Sequence, residues 1–273
     1  MLLRLSAMTV LAAGLTGALL MAMAVSAGPL MARTELVYVS YHDTQSDLIA
    51  YDAARSVGHN LTRSRAYDLS PVWSPDGSQI AFVSDRAAGL QIFVMDAGGR
   101  NIRRLTPPGR AFEAPRWSAD GARLAFVARG SAGVDVFTVN ADGSGFEQVS
   151  GQTTDPGGIM LELGLDTPAV AGPESPSGES LLSVDFVEHI GWALVLSVTN
   201  GEAGVTLASL GRNFGEAAAL SWSPDGQRIA YLSSTDGQVD LYIIAPVPGS
   251  QPQRITHNRA YESSPVWRPL STP

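Results

Sequence analysis

At 273 residues the chain is long enough to bury a sizeable core, and its net charge of −8 lacks the basic footprint that nucleic-acid binding needs. There is no cysteine, which excludes disulfides, thiolate metal sites, a cysteine nucleophile and a lipid-modified cysteine anchor. All 18 basic residues are arginine.

The N-terminus opens "MLLR", and residues 5–32 carry no charge. The apolar run "LAAGLTGALLMAMAV" leads to "VSA" at Val25–Ala27, which has the small-residue pattern of a signal-peptidase site. Residues 1–27 are therefore expected to be a signal peptide or a retained membrane anchor, followed by a short linker at 28–34. In both cases Arg4 favours an inside N-terminus, which exports the remainder to the periplasm, to the exterior or to the outer side of a membrane. Membrane contact is expected only through residues 5–27, and only if that segment is kept.

Beyond residue 34 the chain repeats. Trp73, Trp117, Trp222 and Trp267 start similar strings: "VWSPDGSQIAFVSDR", "RWSADGARLAFVARG", "SWSPDGQRIAYLSST" and "VWRP". The intervals of 44, 105 and 45 residues leave room in the middle for one worn copy, "ESPSGESLLSVDF" at 174–186, which has lost its tryptophan. In each unit a short strand ends at Trp, and Ser-Pro-Asp-Gly makes a tight turn in which proline fits i+1 and glycine supplies a positive φ. An alternating strand such as "QIAFVS" follows, then a second such as "LQIFVMD", and a polar turn leads to a last short strand ending "RRLT" or "QRIT". Four strands in about 44 residues are the pattern of a β-propeller blade. No stretch after residue 32 has a convincing helical period.

The string "SPVWSPDGSQIAFVSDRAAGLQIFVMDAGGRNIRRLT" resembles the TolB-type, WD40-like propeller repeat, whose hallmark is a Trp-Ser-Pro-Asp-Gly turn followed by an Ile-Ala-Phe strand. The match is specific in three units, partial at both ends and weak at 151–212. Neither the α/β domain that precedes the propeller in TolB nor its six units are found, so the resemblance carries over no role in the Tol–Pal system.

Residues 35–62 align with the second, third and fourth strands of a unit, and 263–268 with a first strand alone. The expected fold is all-β, a propeller over 35–270 with five four-stranded blades, six remaining possible. One blade would be closed by the N- and C-terminal strands pairing, which covers two open edges. The blades would be 35–62 with 263–268, then 66–106, 111–150, 166–210 and 214–256, with an insertion at 151–165.

Crossings between blades repeat a second motif. "RAYD" supplies Arg65, Tyr67 and Asp68; "RAFE" supplies Arg110, Phe112 and Glu113. "RNFGE" supplies Arg212, Phe214 and Glu216, and "RAYE" supplies Arg259, Tyr261 and Glu262. The fifth crossing carries Asp155, Glu162 and Asp166 instead. These residues are the candidates for binding, a ring of arginines, aromatics and acids around a channel mouth. The competing role is bracing, with each acid paired to a neighbouring blade and each aromatic packed between blades. Repetition within one chain favours bracing, and the odd crossing at 151–174 is the better place for specificity.

Chemistry beyond binding finds little support. Asp76, Asp120, Asp142 and Asp225 sit in Asp-Gly turns without calcium-loop spacing, and Asp47, Asp135 and Asp240 precede third strands, which suggests a repeated structural hydrogen bond. The strings "RGSAG" and "DGSGF" fail the serine-hydrolase elbow. His42, His59, His189 and His257 are scattered, although His42 and His257 could approach across the shared blade, and Trp192 suits the filling of the worn blade.

The reading is a non-catalytic exported scaffold without cofactor or metal, a monomer that binds an envelope or extracellular protein, peptide or glycan. The alternative is a glycan- or peptide-processing enzyme, or a regulatory propeller of the prolyl-oligopeptidase or polysaccharide-lyase kind. A glycosidase would need two carboxylates converging within about 5–10 Å. An arginine beside each of Asp68, Glu113, Glu216 and Glu262 would hold them ionised, against a general-acid role.

Overall fold

A computed structural model describes residues 35–130, 133–162, 174–198, 204–211, 219–235 and 237–270. The segment 1–34, on which the expected signal or anchor falls, lies outside them. No described helix is long and apolar enough to cross a membrane.

The described chain forms antiparallel sheets. The first joins the two ends: β1 (Glu35–His42), β2 (Gln45–Asp52) and β3 (Val57–Asn60) are flanked by β19 (Tyr261–Trp267), in the order β19-β1-β2-β3. Leu36 faces Trp267 and Tyr41 faces Tyr261. Beyond the last strand, Arg268 donates from its backbone N to Glu35 O (2.8 Å) and from its guanidinium to the Glu35 carboxylate (2.8 Å). The unfinished C-terminal unit is thus completed by the start of the chain. We call this the joint sheet.

The second sheet is β4 (Asp68–Trp73), β5 (Gln79–Ser84), β6 (Gln91–Asp96) and β7 (Arg103–Arg104). The third is β8 (Glu113–Trp117), β9 (Arg123–Arg129), β10 (Val134–Asn140) and β11 (Glu147–Thr153), and β11 runs three residues past the expected end of its unit. Only three strands are described in the worn unit: β12 (Ser180–Val187), β13 (Gly191–Val198) and β14 (Val205–Gly211). The last sheet is β15 (Leu220–Trp222), β16 (Ile229–Ser233), β17 (Asp240–Ile244) and β18 (Gln253–Arg254).

In the second and last sheets the second and third strands are buried on both faces, β5, β16 and β17 along nearly their whole length. One core joins Val37, Val39 and Leu48 to Ile80, Phe82 and Phe93; the next joins Ala81, Val83 and Ile92 to Leu124, Phe126 and Phe137. A third joins Leu36 and Tyr38 to Tyr231 and Ile243, and continues to Leu182 and Leu194 of the worn unit.

The repeated tryptophans fasten these contacts. Trp73 Nε1 donates to Val266 O (3.3 Å), Trp117 Nε1 to Val72 O (3.2 Å) and Trp267 Nε1 to Ser221 O (3.0 Å). Each indole therefore reaches the first strand of the preceding sheet, so it buries a large apolar side chain and satisfies its one donor there. In the worn unit Glu174 holds the tryptophan's register, bridging to Leu181 as Trp117 pairs with Leu124.

The Ser-Pro-Asp-Gly turns share one design. Gly77 N donates to Ser74 O (2.8 Å), Ser74 Oγ to Asp76 (2.6 Å), and Ser78 N to Asp76 (3.0 Å). Ser118 with Asp120 and Ser223 with Asp225 repeat it, and Ser175 with Ser177 keeps its frame where the aspartate is lost. Gly77 has φ 66°, and an added Cβ would lie 3.0 Å from the Arg268 side chain, so the turn and the chain end fit only around glycine.

The expectation of no helix after residue 32 is corrected by one short element, α1 (Pro156–Glu162). Asp155 caps it, accepting from Gly158 N (2.9 Å), and Pro156 occupies the first helical position where its missing N–H costs nothing. Seven residues are too few to show a hydrophobic period. Its Met160 is buried against Ala125, Val127 and Val136, on the face of β8–β11 that points away from β4–β7.

Candidate functional site

The expected hydrogen bond at the start of third strands is present and repeated. Asp47 accepts from Thr62 Oγ1 (3.1 Å), Gln91 from Thr106 Oγ1 (2.8 Å) and Asp240 from Thr256 Oγ1 (3.1 Å). Each threonine hydroxyl accepts in turn from a backbone N of the third strand, at Leu48, Ile92 and Leu241. Asp135 departs from this, accepting from Gln152 N (2.8 Å) and pairing with Arg110.

A hollow of about 520 Å³ lies between two Ser-Pro-Asp-Gly turns, lined by Pro75, Asp76, Trp117 and Asp120 among others. Its carboxylates are spent on their own turns. Burial pushes Asp76 up, and hydrogen bonds from Ser74 and Ser78 outweigh it, leaving the group below the usual carboxylate range. The bond from Ser118, with Ala122 N, lowers Asp120 likewise.

The crossing at 107–113 spends its whole motif on structure. Arg110 pairs with Asp135 and lies over the Phe137 ring (5.1 Å), holding the Asp135 carboxyl low. Gln91 Nε2 fixes the loop by donating to Arg110 O (2.6 Å). Phe112 is fully buried, edge-on to Phe126 and Phe137 at 5.3 Å each. Glu113 pairs with Arg129 at the far end of β9. A candidate for binding in the sequence, Phe112 is here a core residue.

The crossings that enter and leave the joint sheet are built differently. Asp68 is fully buried and held by Arg86 Nη2 (2.8 and 2.9 Å), whose guanidinium is 5.3 Å from both the Phe82 and Phe93 rings. Glu262 is fully buried too, within reach of Ser40 Oγ (3.5 Å) and Thr256 Oγ1 (3.2 Å). Arg65 and Arg259 are exposed, and make no hydrogen bond or ion pair among the described residues. Tyr67 is 38% exposed and Tyr261 48%.

Register places these tyrosines in one line. Tyr261 pairs with Tyr41, their rings 5.5 Å apart; Tyr41 pairs with Ser46, and Ser46 bridges to Tyr67. The row Tyr261–Tyr41–Ser46–Tyr67 thus crosses one end of the joint sheet, with Arg259 two residues before its first member and Arg65 two before its last.

Spacing to the tryptophan decides which residue turns inward. A bulge with a positive φ interrupts three first strands, at Ser70 (49°), Ala114 (53°) and Ser264 (50°). One extra residue lets the fifth residue before the tryptophan share its face. That residue is Asp68 before Trp73 and Glu262 before Trp267, but Phe112 before Trp117, because "RAFEAPRW" is one residue shorter than "RAYESSPVW". Glu113 therefore falls on the opposite face.

Asp155 caps α1 and Glu162 is exposed at its end; Asp166, Arg212, Phe214 and Glu216 lie outside the described residues. Tyr41, Arg86 and Arg129 were missed from sequence. The last two were legible, as an arginine just beyond the second strand in "FVSDR" and at its last residue in "FVAR". Arginines do pair with Asp68 and Glu113, but they are these hairpin arginines rather than the motif's own. Glu262 has no arginine partner among the described residues and is raised to about 7 by burial and the charge of Asp240.

The TolB beta propeller domain model matches residues 31–160, which hold β1–β3 of the joint sheet and all of the second and third sheets. Over those residues the chain is TolB-like. The Tol-Pal system protein TolB of Thioalkalivibrio sulfidiphilus is 38% identical over 76 residues, 26% of this chain and 18% of the relative. A protein TolB homolog of Chlorobium luteolum is 46% identical over 43 residues, 16% of this chain and 10% of that one. The chain therefore spans less than a fifth of the length of these relatives. In fold, it resembles the crystal structure of TolB from Acinetobacter baumannii with a TM-score of 0.65, 18% identity and coverage of 91% of this chain and 70% of that one. Hydrazine synthase of Kuenenia stuttgartiensis is also similar, with a TM-score of 0.50 and 11% identity over 89% of this TolB-like chain and 47% of that one.

Proposed function

We propose that this TolB-like chain is a non-catalytic recognition scaffold, exported by residues 1–27 to the cell envelope or beyond, in which 35–270 form one five-bladed ring. Its recognition surface is the end of the joint sheet that carries Arg65, Tyr67, Arg259 and Tyr261. The observation behind this reading is the split between crossings. At 107–113 the aromatic is buried and the arginine and acid are ion-paired, whereas the crossings at the joint sheet leave two guanidinium groups without an ion pair among the described residues and two phenol rings part-exposed.

Exposed tyrosine and arginine are the residue types that dominate binding energy at protein interfaces. Two unpaired guanidinium groups on a chain of net charge −8 favour an extended, carboxylate-bearing segment of an envelope protein. A glycosidase-like mechanism gains nothing from these acids. Asp68 and Glu113 are tied to arginines, and Glu262 is sealed from solvent.

The test is binding of synthetic acidic and neutral peptides, and of acidic oligosaccharides, to the wild type and to Arg65→Ala/Arg259→Ala. Acidic peptide binding that is lost in the double variant and kept in Arg110→Ala supports the reading. Equal binding by both variants, or binding of the oligosaccharide alone, contradicts it.

A further inference from the structure

The contact between the joint sheet and β15–β18 holds more carboxyl groups than cations. Ser40 pairs with Glu262 on one side and Asp47 on the other, so the three side chains share one face of the sheet. Asp240 meets them from β17. All three acids are buried. Asp47 is satisfied by Thr62 Oγ1 (3.1 Å), Ser64 N (3.2 Å) and Gln45 Nε2 (3.3 Å). Asp240 is paired with Arg254 of β18 at 2.7 Å. For Glu262 there remain two hydroxyls and the Asn258 side chain.

The second sheet shows how this row is balanced elsewhere. There the same positions are Asp68, Ser84 and Gln91: an amide replaces Asp47, and Arg86 neutralises the acid. In the joint sheet the register position of Arg86, two residues past the acid's partner Ser40, is His42, exposed at the hairpin tip. His257, in the crossing beside Thr256, is exposed as well. Tyr38, the remaining titratable group facing Glu262 from β1, is neutral, its phenol raised by burial and by Glu262.

Hydrogen positions point the same way. Thr256 Oγ1 already accepts from Leu241 N (3.0 Å), and its single proton has two claimants, Asp240 Oδ1 (3.1 Å) and Glu262 Oε2 (3.2 Å). With both acids ionised, one of these contacts sets two acceptors against each other. A proton on Glu262 turns it into a donor and satisfies the group.

We propose that the joint sheet is latched by one proton, with neutral Glu262 holding β19 between β1 and β17, and ionised Glu262 loosening β19 together with Tyr261. The consequence for Tyr261 rests on reading this end of the sheet as the recognition surface; the latch itself does not. Burial, aided by the charge of Asp240, raises the carboxyl from 4.5 to about 7 against the opposing hydrogen bonds. Because the folded value is the higher one, the stabilisation is complete below 4.5 and is lost as pH rises through about 7.

The experiment is hydrogen exchange of the full chain between about pH 5.5 and 8.5, corrected for intrinsic rates, in the wild type and Glu262→Gln. In the wild type the protection of β19, relative to β5 and β6, is expected to fall more than about tenfold across that range. In Glu262→Gln, which keeps the shape and cannot ionise, it is expected to stay flat. Wild-type protection that does not change with pH, or a glutamine variant that keeps the wild-type slope, overturns the proposal. If the glutamine variant does not fold, carbon-13 NMR titration of the wild-type Glu262 carboxyl decides: a midpoint near 7 supports the latch, and one near its ordinary value of 4.5 overturns it. Peptide binding at the two pH extremes then tests the recognition surface separately. A working latch with pH-independent binding would count against that surface and leave the latch standing.

Discussion

The crossings at 107–113 and 257–262 carry nearly the same letters, "RAFE" and "RAYE", and use them in opposite ways. In the first, the aromatic is core, the arginine is clamped by Asp135 and the acid lies on the far face. In the second, the acid is core while the arginine is exposed and the aromatic half-exposed against Tyr41. One residue of spacing to the following tryptophan separates them. A repeat aligned by motif is thus not a repeat aligned by face, and in a pleated strand face decides role.

The comparison can be broken first at the chain ends. Removing residues 261–270 takes away β19, the Trp267 anchor and the Arg268–Glu35 tie, so cooperative unfolding should vanish by circular dichroism. A truncated chain that keeps the wild-type transition would mean the joint sheet is an accessory. Next in size is the buried acid of the second sheet. Arg86→Ala strands Asp68 without a partner and should cost about 3–5 kcal/mol in urea unfolding, whereas half-exposed Arg110→Ala should cost under about 1 kcal/mol.

The pH dependence sharpens the contrast between Asp68, which has an arginine, and Glu262, which has none. Glu262 should withdraw about 3 kcal/mol of stability as pH rises from 4.5 through about 7, and Glu262→Gln should flatten the curve. Chemical denaturation at several pH values reads this directly. Arg65→Ala and Arg259→Ala should give the smallest change in stability, within about 0.5 kcal/mol, while reducing acidic-peptide binding. A loss above about 1 kcal/mol in either would reveal a bracing role instead.

Much of the fold was legible because its signals are local. Trp-Ser-Pro-Asp-Gly states a turn in its own residues, and the alternation of "QIAFVS" states a strand with two buried faces once neighbours are supplied. The split of one unit between the chain ends was legible from what each end lacked. The helix at 156–162 was not, because seven residues capped by Asp155 draw their stability from Met160 packing on β9 and β10 rather than from a pattern.

The candidate site was legible in membership and not in geometry. Arg65, Tyr67, Arg259 and Tyr261 were among the residues named from sequence, yet so were Phe112, Asp68 and Glu262, which are core. Two signals would have separated them. In these three crossings the part-exposed aromatics are tyrosines and the buried one is a phenylalanine, in the direction that the cost of burying an unpartnered hydroxyl favours. The distance from acid to tryptophan, five residues in two copies and four in the third, also foretells which side chain turns inward. Glu262's missing arginine is a long-range fact, visible only when β1, β17 and β19 are brought together.

The central claim is that near-identical crossings divide into brace and surface, and urea unfolding of Phe112→Ala beside Tyr261→Ala tests it most directly. The account predicts a loss of about 3–5 kcal/mol for Phe112→Ala, from a fully buried ring with three aromatic neighbours. For Tyr261→Ala it predicts under about 1.5 kcal/mol, from a half-exposed ring with one aromatic neighbour. Equal losses at the two positions would contradict it.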